Sequence, residues 1–277
     1  MANRTFRFPV GPGHGRCNIC GQQRDLTENH VPPKSWSPGR AVRIWSILDS
    51  VAQDGPGEFE KRSYGVPFRT LCAGCNGNIL QPYDRELASL TNQLAKAIGQ
   101  KREGIPFYGS ALVRPRRVAL GVLAHLCSVG LDRYSEHLSS YVLGINQSLL
   151  DDVKIYYWPY LHSPMTIVRD YRVFDFFSKN LSNIFILKAY PVAFAIAIGG
   201  EKSFLDDADV RNFDEYASLG VDDEALMHFP LFNMPSQRWP ECGDENSMLA
   251  FDSASAFNVT GKRANSDGIV TIWHQPY

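Results

Sequence analysis

The spacing of hydrophobic positions changes twice along this chain. Through residues 1 to about 80 they are sparse and broken by Gly, Pro and Cys, with short strand-like runs only around Val42 to Leu48 and Val66 to Leu71. So few apolar positions cannot build an ordinary core, and the stretch reads as a small module held together by metal. From Tyr83, Leu87, Leu90, Leu94 and Ile98 recur at spacings of three and four, which places them on one face of a helix. After a Gly/Pro break near residues 104–109, the segment "RPRRVALGVLAHLCSVGLDRYSEHLSSYVLG" reads as mostly helical and buried on one side. The pattern then turns β-like. "VKIYYWPYL", "TIVRDYRVFDFF", "NIFILKAYPVAFAIAIGG" and "MLAFDSASAFNV" are β-branched and aromatic, are bounded by turn residues, and predict an antiparallel or mixed sheet. The expected architecture is α+β: a metal-organised module with a trailing helix over residues 1–104, then a helix-plus-sheet domain over 105–277.

Composition narrows the class. The 277 residues are 44% hydrophobic and 21% charged, as in a folded globular protein. The N-terminal residues lack the apolar stretch of a secretory signal. The longest apolar run, Ile184 to Gly200, is interrupted by Lys188 and Pro191 and is too short for a membrane helix. A cytoplasmic protein without membrane association is the expectation.

The net charge of −1 hides an asymmetry. Residues 1–117 hold 17 Lys and Arg against 9 Asp and Glu, net +8, whereas residues 118–277 hold 11 against 20, net −9. A basic half suits a polyanionic partner, and an acidic half suits a protein partner or a second copy of the chain. Lys34, Arg40, Arg43 and Arg69, with Trp36 and Trp45 among them, are candidate nucleic-acid contacts. The arginines of "RPRR", Arg114 to Arg117, lie near a helix N-terminus, where cations oppose the dipole, so a phosphate partner is one reading of them.

Four of the six cysteines form two Cys-x-x-Cys pairs, Cys17 with Cys20 and Cys72 with Cys75, separated by 51 residues. Two such knuckles can close a tetrahedral thiolate site around structural zinc, with disulfide or redox chemistry as the competing reading. Four protein ligands leave no open position, so such a zinc holds the fold and does no chemistry. Cys127 and Cys242 read as incidental thiols, and His125 and His137 as structural.

Beside the knuckles lie "ENHVPP" and "CNGN". This arrangement resembles the HNH, or ββα-metal, nuclease superfamily over about residues 14–100, especially endonuclease VII-type members with two zinc knuckles and HNH proteins of anti-phage systems. The resemblance implies a β-hairpin presenting an acid–His pair and a helix presenting an Asn, which together bind one divalent metal beside a scissile phosphate. On that pattern His30 is the general base, and Asn76 and Asn29 are the catalytic pair that would hold Mg²⁺ or Mn²⁺. The implied activity is hydrolysis of DNA phosphodiester bonds, with anti-phage defence as the context. The chain departs from the pattern at Asn29, where an acid is usual; the nearest acid, Glu28, sits one place earlier and serves only if a bulge re-aims it. Asp84 is a further acid without an assigned place. The alternatives are a catalytically silent zinc module that binds nucleic acid and a protein-interaction subunit.

Overall fold

The computed structural model describes residues 10–36, 42–45, 59–62, 65–100, 108–130, 134–145, 153–161, 166–175, 180–198, 205, 210–232, 248–250 and 270–271. The chain is mixed α and β, as the periodicity predicts. Three strands open it: β1 (His14–Arg16), β2 (Gln23–Val31) and β5 (Val66–Cys72) form an antiparallel sheet in the order β1-β2-β5. Between β2 and β5, β3 (Val42–Trp45) and β4 (Phe59–Arg62) pair with each other as a separate antiparallel ribbon. The chain leaves β5 through a wide helical turn, Cys75–Ile79, that runs straight into α1 (Leu80–Gly99).

Helix α1 buries Leu80, Leu87, Leu90 and Leu94, the stripe that the three-and-four spacing predicts. It begins at Leu80, ahead of the expected Tyr83, because the turn after Cys75 is already helical. Next come β6 (Tyr108–Val113), α2 (Pro115–Ser128) and α3 (Glu136–Val142), the last capped by Ser135, whose side chain accepts from the Leu138 N–H. Pro115 occupies the first turn of α2, where its missing N–H costs nothing. From Val118 to Ser128 every residue of α2 is buried, so the helix is enclosed and not buried on one side only. It approaches α1 closely at Gly121, where a Cβ would come within 2.9 Å of Leu87 Cδ1 and 3.2 Å of Tyr83 Cβ.

The main sheet runs in the order β11-β7-β10-β9-β8-β13, where β7 is Val153–Pro159, β8 Thr166–Asp175, β9 Asn180–Ala189, β10 Val192–Ile198, β11 Arg211–Asn212 and β13 Met248–Ala250. These neighbours are antiparallel, while β14 (Val270–Thr271) joins β8 in parallel, so the sheet is mixed. β12 (Ala225–Pro230) returns to pair with β6.

One core runs through both halves of the chain. It joins Cys17, Val31 and Leu71 of the first sheet to Leu87 and Leu90 of α1, Val118 and Leu123 of α2, and Phe194, Phe213 and Phe229 of the C-terminal part. Polar ties cross the 104/105 boundary as well. The Gln93 side chain on α1 bonds both the N–H and the carbonyl of Leu112 on β6, at 3.0 and 2.9 Å. Asn18 of the first knuckle donates to the carbonyls of Cys127 and Gly130, both at 2.9 Å, and Thr70 donates to that of Ser128 at 2.7 Å. These bonds occupy carbonyls at the C-terminal end of α2 that no helical N–H can reach.

Candidate metal centre and adjoining polar site

The two knuckles meet. The sulfur atoms of Cys17, Cys20, Cys72 and Cys75 all lie within 4.8 Å of one another, with Cys20 Sγ 3.9 Å from Cys72 Sγ. A tetrahedral zinc with bonds of about 2.3 Å needs sulfurs about 3.8 Å apart, so the four can hold a metal such as zinc. Cys17, Cys72 and Cys75 are buried and Cys20 half-buried, and none is in a disulfide. Four thiols this close cannot all ionise together without a cation among them. A hydrogen bond with Cys75 chiefly holds the Cys17 thiol down, while that bond and burial push Cys75 up. The Cys72 N–H also donates to Cys17 Sγ at 3.3 Å.

The cysteine cluster ties together the connection between β1 and β2, the end of β5 and the start of the helical turn, and the polar residues of β2 follow from there along the strand. Asn76, directly after Cys75, donates from Nδ2 to Thr27 Oγ1 at 3.0 Å and to the Glu28 carbonyl at 3.2 Å. These bonds fix the orientation of its amide and leave Oδ1 as its acceptor atom. Asn76 is therefore a bridge from the helical turn to the strand.

Next to that bridge the pairing of β2 with β5 slips. Thr27 faces Leu71 and Glu28 faces Arg69, so Thr70 is an extra residue in β5, a β-bulge. Beyond it Glu28 and His30, two residues apart, share a face: Glu28 Oε1 is 3.6 Å from His30 Nε2, with side-chain exposures of 35% and 12%. Burial chiefly, reinforced by the positive charges of Lys34 and Arg62 and opposed by Glu28, brings the His30 imidazole down to about 4. It is neutral near pH 7, and a neutral imidazole carries one nitrogen lone pair that can accept a proton.

Asn29 lies on the opposite face from this pair. It is 4% exposed, opposite Phe68, and neither atom of its amide has a hydrogen-bond partner. The geometry thus brings the side chains of Glu28 and His30 together on one face of β2, ties Asn76 to the Thr27 hydroxyl and the Glu28 backbone, and buries Asn29 on the other face.

The turn after His30 is anchored to the main sheet. Trp36 is buried, donates from Nε1 to the Tyr190 carbonyl at 3.1 Å, and meets Phe194 edge-to-face at 5.8 Å. A tryptophan so placed is not available to stack on a base. Val31-Pro32 is cis, and Gly65, at the start of β5, lies so close beneath that a Cβ would sit 2.6 Å from the Val31 and Pro32 carbonyl oxygens.

Among the candidate cations, Lys34 is exposed on this turn and Arg69 is half-buried on β5 opposite Glu28. Arg43 lies on β3, where only the backbone is described; Arg40 and Cys242 fall outside the described residues. The arginines of "RPRR" are engaged internally, which removes the reason to assign them to a phosphate. Arg114 pairs with Glu224 at 2.7 Å and Glu86 at 3.4 Å, Arg117 pairs with Asp222, and Arg116 donates to the Ala217 and Leu219 carbonyls. The same pairs give Asp222 and Glu224 partners within the fold.

Asp84 takes a structural position: its Oδ1 is 2.9 Å from Nε2 of the buried His125, joining α1 to α2. No described helix is long and apolar enough to cross a membrane. The chain matches no protein-family profile, no curated protein and no solved structure.

Proposed function

We propose that the protein is a zinc-stabilised, metal-dependent endonuclease of HNH type that hydrolyses phosphodiester bonds of DNA, with anti-phage defence as the setting its sequence resemblance suggests. The observation that carries this reading is the junction of strand, helix and four-thiol cluster, where His30 and Glu28 stand 3.6 Å apart and Asn76 is bonded to the backbone of Glu28.

In this reading His30 takes a proton from the attacking water. At physiological pH it is unprotonated and so in the form that accepts a proton, while its lowered pKa makes it a weaker base than an ordinary imidazole. Glu28 replaces Asn29 as the anionic residue of the site, and with Asn76 Oδ1 it offers the hard oxygen donors that suit Mg²⁺ or Mn²⁺. Such a bound cation would supply charge neutralisation at the phosphate and the leaving oxygen. Lys34 and Arg69 border the site as candidate phosphate contacts. The acidic surface of the C-terminal region favours a protein partner or a second copy over DNA.

Nicking of supercoiled plasmid by the full-length protein, with Mg²⁺ or Mn²⁺, tests the proposal. Wild type should nick, and His30→Ala and Glu28→Gln should each slow nicking by about 100-fold or more, the scale of a lost general base or charge contact. If wild type binds DNA under these conditions and leaves it intact, the nuclease reading fails and a silent nucleic-acid-binding module takes its place.

A further inference from the structure

The bulge beside Glu28 is not a free irregularity of the hairpin. Its extra residue, Thr70, is held from two directions outside the strand pair. Its carbonyl accepts from the backbone N–H of Asn18, in the first zinc knuckle, at 3.0 Å. Its buried hydroxyl donates to the carbonyl of Ser128, at the end of α2, at 2.7 Å. A β-bulge persists when the residue left out of the ladder finds partners elsewhere, and it sets the twist and aim of the strand beside it. Here the neighbouring residues on the partner strand are Thr27, which receives Asn76, and Glu28, which approaches His30.

We infer that Thr70 is a positioning residue: by anchoring the bulge to the end of α2, it sets the placement of Glu28 against His30 and Asn76. Thr70 itself touches none of the reacting groups. The consequence is a connection from α2 to the site, since a displacement of the α2 terminus pulls on the bulge directly through Thr70 and again through Asn18, which bonds the Thr70 carbonyl. The catalytic consequence rests on the nuclease reading; the geometric one does not.

The test compares Thr70→Val, which keeps the shape and removes the hydroxyl, with Thr70→Ser, which keeps the hydroxyl. Zinc content and circular dichroism establish that each variant is folded. Two readouts follow. The first is the His30 ring resonance in two-dimensional NMR, assigned by its loss in His30→Gln, which reports the surroundings of the imidazole whether or not the protein cuts DNA. The second is plasmid nicking, resolved into kcat and KM.

Thr70→Val should shift the His30 resonance and, where wild type nicks, lower kcat by roughly tenfold or more with KM little changed, as misplaced reacting groups do. Thr70→Ser should restore both. A His30 resonance identical in wild type and Thr70→Val overturns the inference, as does an unchanged kcat in a folded Thr70→Val. Absence of nicking in wild type, with the resonance shifting in Thr70→Val and restored in Thr70→Ser, overturns the nuclease reading and leaves the positioning role standing.

Discussion

Three consecutive residues, Glu28, Asn29 and His30, show how a single strand sends neighbouring side chains to two different environments. Alternation puts Glu28 and His30 together and leaves Asn29 buried with both amide atoms unpartnered. A buried amide that makes no hydrogen bond is a cost to the fold. Asn29→Val should therefore leave stability unchanged or raise it by about 1 kcal/mol in urea denaturation, and should leave nicking intact. Asn29→Asp restores the sequence pattern of the superfamily but places a carboxylate in the core, and should lower stability by about 3 kcal/mol or more. Loss of nicking in a well-folded Asn29→Val would return Asn29 to the site.

His30 makes a second prediction at this scale. Its folded-state pKa of about 4 lies below the ordinary value of 6.5, so between those values the unfolded chain binds a proton that the folded chain does not. Its contribution to stability therefore falls as the pH drops from about 6.5 towards 4 and levels off below. The thiols of the metal cluster titrate too, so the measurement is a difference against His30→Gln, which carries the same cluster. Between pH 7 and pH 5 wild type should lose more stability than His30→Gln. Equal losses would mean that the imidazole is not held in a neutralising environment.

At the scale of elements, the parts that sequence makes legible are those whose signal is local. The leucine stripe of α1, the strand Val66–Cys72, the two knuckles and the β-rich C-terminal part all follow from short-range spacing. What could not be read are contacts between residues about 60 to 110 positions apart. Arg114 and Arg117 meet Glu224 and Asp222 across the fold, and Asn18 and Thr70 close the end of α2. A charge count cannot distinguish an arginine waiting for phosphate from one already paired. The bulge is equally hidden, because it depends on partners offered to Thr70 from another element. Helix α2 was legible as a helix but not as an enclosed one, and Gly121 marks the reason: α1 passes too close for a side chain there. Gly121→Val should destabilise by about 1–3 kcal/mol, the range for overpacking, despite its better helix propensity. A melting temperature equal to wild type would mean that the two helices separate more easily than this contact implies.

For the molecule as a whole, the main question is whether the metal cluster supports a detachable module or the entire fold. Sequence suggests a break near residue 104, but the core includes residues from both sides of it, and Asn18 of the first knuckle and Thr70 of the bulge bond to carbonyls at the end of α2. Residues 1–104 alone would expose the faces of α1 that pack on α2 and β6, so this fragment should fail to fold cooperatively even with zinc supplied. Metal removal from the full chain makes the complementary prediction. Structural zinc sites contribute roughly 10–16 kcal/mol of binding energy in zinc-finger peptides, comparable to the whole stability of a domain. If the cluster supports α2 as well as the hairpin, its loss must reach the main sheet, one face of which packs on the same core through Tyr157, Leu187 and Phe194, while Tyr156 and Trp158 belong to a second cluster. A strong zinc chelator should therefore lower the melting temperature of the whole protein in one transition, seen alike in helical ellipticity and in the near-ultraviolet signal of the aromatics buried on β7, Tyr156, Tyr157 and Trp158. Two transitions, with the near-ultraviolet signal of the sheet melting at its original temperature, would show that the zinc cluster stabilises only its own surroundings.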